Sequence, residues 1–441
     1  MKQNESNEKL KISRRNFLRT VGVAGATAAS AGLFLSMAST RTDTGPNSKL
    51  DDTHPFAPWY KKFDQHYDGR KMRRWNEENR NLMMPLALQA GEIHDNRPAL
   101  EKSIRDAMGT VTRSFGSNAG LSTGNGGLYS WEPLGITSPP KQRWEGSSEE
   151  AAMILKRFSH DCGAVDTGIT LLDERLVHSH WYENDSESGE IIISDTAEKP
   201  QQLPDGTRLI PSSMKYVIVQ LCSMPYDMIQ TSTSTIATGA ANLGYSMMAF
   251  VTPPLAEFIR GLGWQAIPAG ASTVSVIPLA IAAGLGEYGR NGLLINPEYG
   301  PRVRITTVIT DLPLATDNIM KFGVQNFCES CMACAENCPA QAIPYGSMTW
   351  EGNSVSNNHG AYKWYIDATR CHMFEASNGG PCSNCIRTCA YNKPPGFWTH
   401  DPFGLRVASI LGGNIMAKMD ELMGYGRVLS QEDFWRKKSR G

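Results

Sequence analysis

The sequence predicts an α+β fold, with helices and strands alternating around a layered α/β core. Two observations favour this class. Between residues 149 and 310, segments with the apolar spacing of helices alternate with short β-branched runs that are typical of buried strands. In addition, 41% of the 441 residues are apolar, so the chain can bury a large core. Because each helix must cover its apolar face, we expect helices packed in layers on a sheet.

Local signals define the predicted elements. A helix at residues 149–158 begins after the cap of Ser147 and Ser148, and residues 215–221 have the β-branched run of a buried strand. A second helix begins near Thr238 and is expected to break at Pro253-Pro254, because proline lacks the N–H that continues a helix. The other expected elements are strands at residues 165–172, 191–194 and 302–308 and helices at residues 255–262 and 275–284.

Eight of the ten cysteines form two groups near the carboxyl end. The first, at residues 328–338, reads C-x2-C-x2-C-x3-C and is followed by proline, as in bacterial ferredoxins, where three thiolates bind one [4Fe–4S] cluster and the fourth binds a second. The second group, at residues 371–389, ends in Ala390 where a ferredoxin more often has proline. The crossover rule assigns Cys328, Cys331, Cys334 and Cys389 to one cluster and Cys338, Cys371, Cys382 and Cys385 to the other.

Two other uses of cysteine compete with iron–sulfur clusters. Structural zinc also takes four thiolates from CxxC pairs, and secreted proteins use cysteines as disulfide frameworks. Zinc sites usually pair two CxxC knuckles across a longer gap, and dense disulfides belong to small domains without a core. Neither explains the ferredoxin spacing, so we favour two clusters. Cys162 and Cys222 lie outside both groups and are expected to be core thiols.

The amino terminus has the pattern of an export signal. Residues 13–19 read SRRNFLR, a twin-arginine pattern, and a mildly apolar stretch at residues 21–37 follows. That stretch is short and weakly apolar for a spanning helix, which needs about 20 apolar residues. The alternative is an amphipathic surface helix with a chance arginine pair. Because the twin-arginine route carries folded proteins with their cofactors, we expect a metalloprotein used at the outer face of the cytoplasmic membrane.

The charge balance narrows the classes of function, and the sequence also predicts how the chain is divided. With 43 basic and 44 acidic residues, nothing favours a nucleic-acid partner. The expected parts are a signal peptide at residues 1–40, a wrapping segment at 41–148, a core at 149–320, an iron–sulfur domain at 321–395 and a carboxyl-terminal extension at 396–441.

Taken together, the leader, the two cysteine groups and three core segments resemble the catalytic subunit of the corrinoid-dependent reductive dehalogenases. The core segments read AGLGE at residues 283–287, GLLI at 292–295 and PEYGP at 297–301. The resemblance implies a nitroreductase-like core that binds a cobamide with its lower base detached, beside a ferredoxin-like domain. It also implies respiratory removal of halide from a small organohalide, a chlorinated alkane or alkene, with a small integral-membrane anchor protein and a membrane electron donor as partners.

The resemblance also implies the site residues. Replacing halogen by hydrogen takes two electrons and one proton, and in the family a tyrosine gives the proton beside a cation that stabilises its phenolate. The matching residues are Tyr245, in the sequence NLGYS, and Arg304, in the sequence PRVRI. If the alignment slips, the nearest alternatives are Arg290, Arg302, Tyr226 and Tyr299.

Contacts to the corrinoid are expected from Gly270, Ala271 and Trp364, although for Trp364 an indole packed in the core is the favoured alternative. Ala271 stands where relatives often carry asparagine, so a polar contact is missing. A smaller, less polar wall leads us to expect that a chlorinated alkane is preferred to an alkene.

Two other functions use some of the same features. An epoxyqueuosine reductase relative shares the corrinoid core and the clusters but acts on RNA, which the export signal and the neutral charge disfavour. An electron carrier needs no core of this size in front of its clusters.

Overall fold

The structure, a computed structural model, describes residues 107, 129–135, 140–178, 180–184, 187–271, 273–352, 357, 361–397 and 412–436. The strands are β1 (Asp166–Leu171), β2 (His180–Asn184), β3 (Glu187–Ser194), β4 (Gln201–Gln202), β5 (Arg208–Pro211), β6 (Tyr216–Ser223), β7 (Ala266–Ala269), β8 (Glu287–Tyr288), β9 (Leu294–Ile295) and β10 (Val303–Thr310). The helices are α1 (Ser148–Asp161), α2 (Tyr226–Ile229), α3 (Thr235–Gly261), α4 (Val276–Ala282), α5 (Val324–Ser330), α6 (Ala333–Glu336), α7 (Ala368–Asn378), α8 (Asn384–Arg387), α9 (Gly413–Met423) and α10 (Gln431–Arg436).

A four-stranded antiparallel sheet forms the centre of the fold. Its strands lie in the order β1, β6, β10, β7, and β10 pairs with β6 so that Arg304 stands opposite Cys222. Successive side chains of a strand point to opposite faces. On β6, Ile218 packs with α1 and α3, whereas Val217 and Val219 pack on the other face with α4. Helices therefore cover both faces of the sheet, and the predicted mixed α/β architecture is confirmed.

Helix α3 differs from the prediction, because it runs from Thr235 to Gly261 without interruption and contains both Pro253 and Pro254. The expected break at the prolines was wrong. Residues on both sides of the prolines are fully buried against the same sheet, so packing outweighs the lost backbone hydrogen bonds. One carbonyl that loses its partner belongs to Phe250, whose side chain is 53% exposed, so water can reach this side of the helix.

A smaller sheet and the cysteine-bearing segment lie beside the core. The smaller sheet has the order β2, β3, β5, β4, and β2 pairs with β3 in the antiparallel direction. Helices α5 to α8 carry one cysteine each, Cys328, Cys334, Cys371 and Cys385, and the other four grouped cysteines lie between or just after these helices. Helix α9 approaches α5 closely at Gly413, where a Cβ atom would stand 2.3 Å from the Phe327 carbonyl oxygen.

The predicted leader at residues 1–40 and most of the wrapping segment at residues 41–148 lie outside the described residues. Within the described ranges, none of the helices combines the length and the apolar character that crossing a bilayer requires.

Candidate functional site

Tyr245 and Arg304 are in direct contact. Tyr245 lies on α3, Arg304 lies on the face of β10 that α3 covers, and the guanidinium carbon is 4.3 Å from the centroid of the phenol ring. A guanidinium this close to an aromatic face is attracted to it electrostatically. Both side chains are only half-buried, so small molecules can reach the pair. The structure thus brings together the two residues that the sequence assigned to proton transfer.

A glycine makes this approach possible. A Cβ atom on Gly244, the residue before Tyr245, would stand 2.8 Å from Cγ of Arg304 and 3.2 Å from Cγ of Met224. The stem of Arg304 therefore lies directly against the backbone of α3. Any larger residue at this position has to displace the arginine.

The surroundings of the pair are mostly apolar and uncharged. The Tyr245 ring packs against a buried cluster that contains Cys222, Met248 and Val251. Burial raises the pKa of Cys222 to about 12, so its thiol is neutral at ordinary pH, as expected for a core thiol. The Nε atom of Arg304 is buried and has no hydrogen-bond partner among the described residues. A charge-assisted donor is therefore available beside the phenol.

A buried set of hydroxyl groups lies next to the pair on the same face of β10. The Tyr129 hydroxyl bonds Thr306 Oγ1 at 2.8 Å and the Met248 carbonyl oxygen at 3.2 Å, and Thr252 Oγ1 bonds Thr306 Oγ1 at 2.9 Å. Burial raises the pKa of Tyr129, which therefore stays protonated. Tyr129 lies in the predicted wrapping segment at residues 41–148, and the sequence assigned it no role. No local signal marks it, because its partners are far away in the chain.

Three of the four alternative residues, Arg302, Tyr226 and Tyr299, form a second tyrosine–arginine group. Arg302 lies over the rings of Tyr226 and Tyr299, at 5.8 and 5.2 Å, and donates to the carbonyl oxygens of Met224 and Lys393. Burial lowers the pKa of Arg302 and raises that of Tyr226. With 3% of its surface exposed, Arg302 is much less accessible than Arg304. Its bonds to the backbone fit a structural role.

The cysteines of the two motifs lie close enough to affect each other electrostatically. Burial is the largest cause that raises the pKa values of the shifted thiols, and neighbouring thiols raise several of them further. Cys389 of the second motif acts on thiols of the first, and Cys338 of the first acts on thiols of the second. In addition, Cys385 acts on Cys334 and Cys389 acts on Cys385, so these effects connect all the thiols and do not separate them into two closed sets.

Backbone N–H groups point at some of these sulfur atoms. Ala342 donates to Cys338 Sγ at 3.3 Å, and Asn384 donates to Cys382 Sγ at 3.4 Å. Such donors stabilise thiolates, which are the form that binds iron. Within the described ranges, no group of three or more His, Cys, Asp or Glu side chains is arranged to hold a metal ion.

The candidate corrinoid contacts differ in their surroundings. Gly270 is buried, and a Cβ atom there would meet only Tyr129 Cε1 at 3.9 Å, so there is room beside it. Ala271 is exposed, and its carbonyl oxygen lies 2.9 Å from Nε2 of His178. Trp364 is fully buried, donates to the Gly346 carbonyl oxygen at 3.0 Å and lies under Arg290. Gly270 and Ala271 thus lie where a ligand fits more readily than at Trp364.

Comparisons with known proteins find similarity to reductive dehalogenases in sequence and in fold. The sequence model of the family described as "Reductive dehalogenase subunit" matches residues 130–314. A tetrachloroethene reductive dehalogenase of Desulfitobacterium hafniense is 37% identical over 332 residues, which cover 70% of this chain and 60% of that protein. Another, from Sulfurospirillum multivorans, is 31% identical over 315 residues, which cover 69% of this chain and 62% of that protein. The chain therefore spans about three-fifths of the length of these curated relatives.

A solved structure has a similar fold. It is described as a reductive dehalogenase that suggests a mechanism for B12-dependent dehalogenation, and it superimposes with a TM-score of 0.53 at 22% identity. The match covers 68% of this chain and 40% of that one. At this identity the likeness shows a shared fold.

Proposed function

Because the chain belongs to the reductive dehalogenase family, we propose that it removes halide from a small organohalide by reduction at a bound corrinoid. The observation that carries the proposal is the contact between Tyr245 and Arg304 on the face of β10 that α3 covers. The corrinoid, when bound, supplies the two-electron chemistry at carbon and halogen. The protein's own task is to orient the substrate, exclude water and deliver one proton.

Tyr245 is the proton donor in this proposal. Replacing a halogen by hydrogen consumes two electrons and one proton and releases a halide ion. The phenol hydroxyl gives its proton to the carbon, and the resulting phenolate is stabilised by the Arg304 guanidinium over its ring. The free Nε donor of Arg304 adds a site for developing negative charge. Solvent then returns the proton to the phenolate, since the side chain is only half-buried.

Two [4Fe–4S] clusters supply the electrons in this proposal. The spacing of the cysteines supports this, because the ferredoxin crossover places four cysteines at each cluster, the number that a cubane needs. The electrostatic effects of Cys389 on thiols of the first motif and of Cys338 on thiols of the second are in keeping with that crossover. On this basis we assign residues 321–395 to a ferredoxin-like domain and residues 149–320 to a nitroreductase-like core. Gly270 and Ala271 are the contacts of this core that we assign to the corrinoid, which binds with its lower base detached.

The proposed place of action is the outer face of the cytoplasmic membrane. The twin-arginine pattern at residues 13–19 supports export of the folded, cofactor-loaded protein. A small integral-membrane protein is the proposed anchor, and a membrane-bound donor supplies the electrons. The neutral charge balance gives no support for a nucleic-acid partner.

A small chlorinated alkane or alkene is the proposed substrate. The named relatives act on tetrachloroethene, an alkene, whereas the methyl group of Ala271 favours a less polar pocket wall and hence an alkane. A dye-coupled assay with a panel of chlorinated alkanes and alkenes separates the two. A chloroethene that is turned over much faster than every alkane would refute the preference drawn from Ala271.

The test of the proposed mechanism is Tyr245→Phe in anaerobically purified, corrinoid-loaded protein. Loss of a general acid lowers kcat by about 10²- to 10⁴-fold, while iron and cobalt contents stay those of the unmodified protein. Tyr226→Phe is the matched control, because Tyr226 belongs to the second tyrosine–arginine group. Full activity of Tyr245→Phe, or an equal loss in Tyr226→Phe, contradicts the assignment. Iron without cobalt in a fully active preparation contradicts the function itself.

A further inference from the structure

Arg290, between β8 and β9, is a buried cation that connects the core to the cysteine-bearing segment. Its Nε atom donates to the carbonyl oxygen of Cys328 at 2.9 Å. One of its terminal nitrogens donates to the carbonyl oxygens of Pro344 and Gly346, at 2.7 and 2.8 Å. The side chain is 1% exposed. A single core residue therefore holds two separate stretches of the segment in place.

The positive charge of Arg290 has no negative partner close by. Its hydrogen-bond acceptors are neutral backbone carbonyls, and no carboxylate forms an ion pair with it in the part of the chain that the structure describes. The ring of Trp364 lies 4.8 Å from the guanidinium carbon. By contrast, Lys393, the other buried cation near the same thiols, is paired with Asp420 at 2.5 Å. In such surroundings the field of an unpaired charge is weakly screened.

This charge lies beside the thiols of Cys328 and Cys331. Arg290 contacts Cys328 through its side chain and through a backbone hydrogen bond, and its charge also acts on Cys331. Reduction of a [4Fe–4S] cluster adds one electron, so a nearby positive charge stabilises the reduced form. Hydrogen bonding and charge around the sulfurs are among the factors that set cluster potentials.

We propose that Arg290 raises the reduction potential of the cluster assigned to Cys328, Cys331, Cys334 and Cys389. The inference rests on the proposed function, because it requires that these thiols hold a cluster. Arg290 is a positioning and charge-supplying residue in this role. Its bonds to four carbonyls also order the loop that carries Cys328.

The expected size follows from Coulomb's law. At an effective dielectric constant of about 20, two unit charges roughly 8 to 10 Å apart change an equilibrium by about ten- to thirtyfold. Removal of the charge should therefore lower the ratio of reduced to oxidised cluster at a fixed potential by about tenfold. For one electron, a tenfold change is about 59 mV.

The experiment is an anaerobic redox titration of the complete, reconstituted protein with dithionite, followed by electron paramagnetic resonance. Arg290→Gln removes the charge, and Arg290→Lys keeps it while losing most of the carbonyl contacts. Arg387→Gln is the matched control, because Arg387 is also buried and also donates to neutral oxygens. Its charge acts on Cys382, which is assigned to the other cluster. Thermal melting of each variant is measured in parallel.

We expect Arg290→Gln to lower the potential of one cluster only, Arg387→Gln to lower that of the other, and Arg290→Lys to lose thermal stability at nearly unchanged potential. If the reduction potentials of both clusters are unchanged in Arg290→Gln, the inference is overturned. If Arg290→Gln does not retain clusters, Arg290→Lys decides between the causes. A tenfold fall in the ratio of reduced to oxidised cluster in that variant means that packing, and not charge, controls the potential. Unmodified protein that binds no clusters overturns the proposed function instead.

Discussion

Gly244→Ala tests how the core positions Arg304. Alanine in a helix interior is favoured over glycine by about 1 kcal/mol. Against this gain, the new Cβ atom would stand 2.8 Å from Cγ of Arg304, which is too close for any real contact. Cγ belongs to the packed stem, so the whole side chain has to move, and such overpacking costs about 1–3 kcal/mol. We expect a net loss of roughly 0–2 kcal/mol in the free energy of unfolding, since the steric cost exceeds the gain in helix propensity.

The effect on turnover should exceed the effect on stability. A shifted guanidinium no longer lies over the Tyr245 ring, and a misplacement of about 1 Å at a reacting group costs on the order of a hundredfold. We expect kcat to fall by about ten- to a hundredfold, with iron and cobalt contents unchanged. Dye-coupled dehalogenation measures the rate, and urea denaturation followed by circular dichroism measures the stability.

A double-mutant cycle with Arg304→Ala isolates the cause. Without the arginine stem, the added methyl group meets mainly Met224 Cγ at 3.2 Å, a contact that small movements relieve. Gly244→Ala should then be neutral or stabilising by up to about 1 kcal/mol. An equal change in stability in both backgrounds would refute the reasoning, because it would mean that Arg304 does not limit the approach of the helix.

Two further predictions concern buried charges. Burial lowers the pKa of Lys363 to about 8, so between that pH and its ordinary value of 10.5 the unfolded chain binds more protons and stability rises with pH. Lys363→Met should raise the melting temperature at pH 7 and make it less dependent on pH between pH 8 and 10. If the melting temperature of the variant depends on pH as strongly as that of the unmodified protein, this prediction is wrong. Arg260 pairs with Glu257 at 2.6 Å and donates to the Ser130 and Trp131 carbonyl oxygens, so Arg260→Met should cost about 3–5 kcal/mol in urea denaturation. Arg260→Met/Glu257→Leu should recover part of that loss, and a double variant as unstable as the single one argues against the pair.

Sequence patterns predicted three of the four strands of the central sheet, β1, β6 and β10, because these strands carry their signal locally, whereas the short β7 was not predicted. The β-branched runs at residues 215–221 and 302–308 lie within β6 and β10 apart from a residue at one end, and the cap at Ser147 begins α1. The continuous α3 could not be predicted, because proline weakens a helix locally while burial of Leu255 and Ile259 stabilises it through distant partners.

The residues of the candidate site also differ in whether their local sequence predicts their role. The two clusters stay a prediction from the spacing of the cysteines, and the placement of Tyr245 and Arg304 came from a family resemblance. Tyr129 was not predicted as a partner of the site, and Arg290 was named only as an alternative if the alignment slips, not as a contact of Cys328. Their contacts join residues more than 35 positions apart, and nothing in their local sequence specifies those partners.

The proposed exchange of one cysteine between the two motifs has a consequence for biosynthesis. In this assignment, Cys389 completes the set that begins with residues 328–334, and Cys338 belongs with residues 371–385. The set with Cys338 is therefore complete only when the ribosome has passed residue 385, and the set with Cys328 only when it has passed residue 389. Iron insertion would then follow translation of the proposed core at residues 149–320, and a chain truncated anywhere before residue 389 would leave the set with Cys328 short of a ligand.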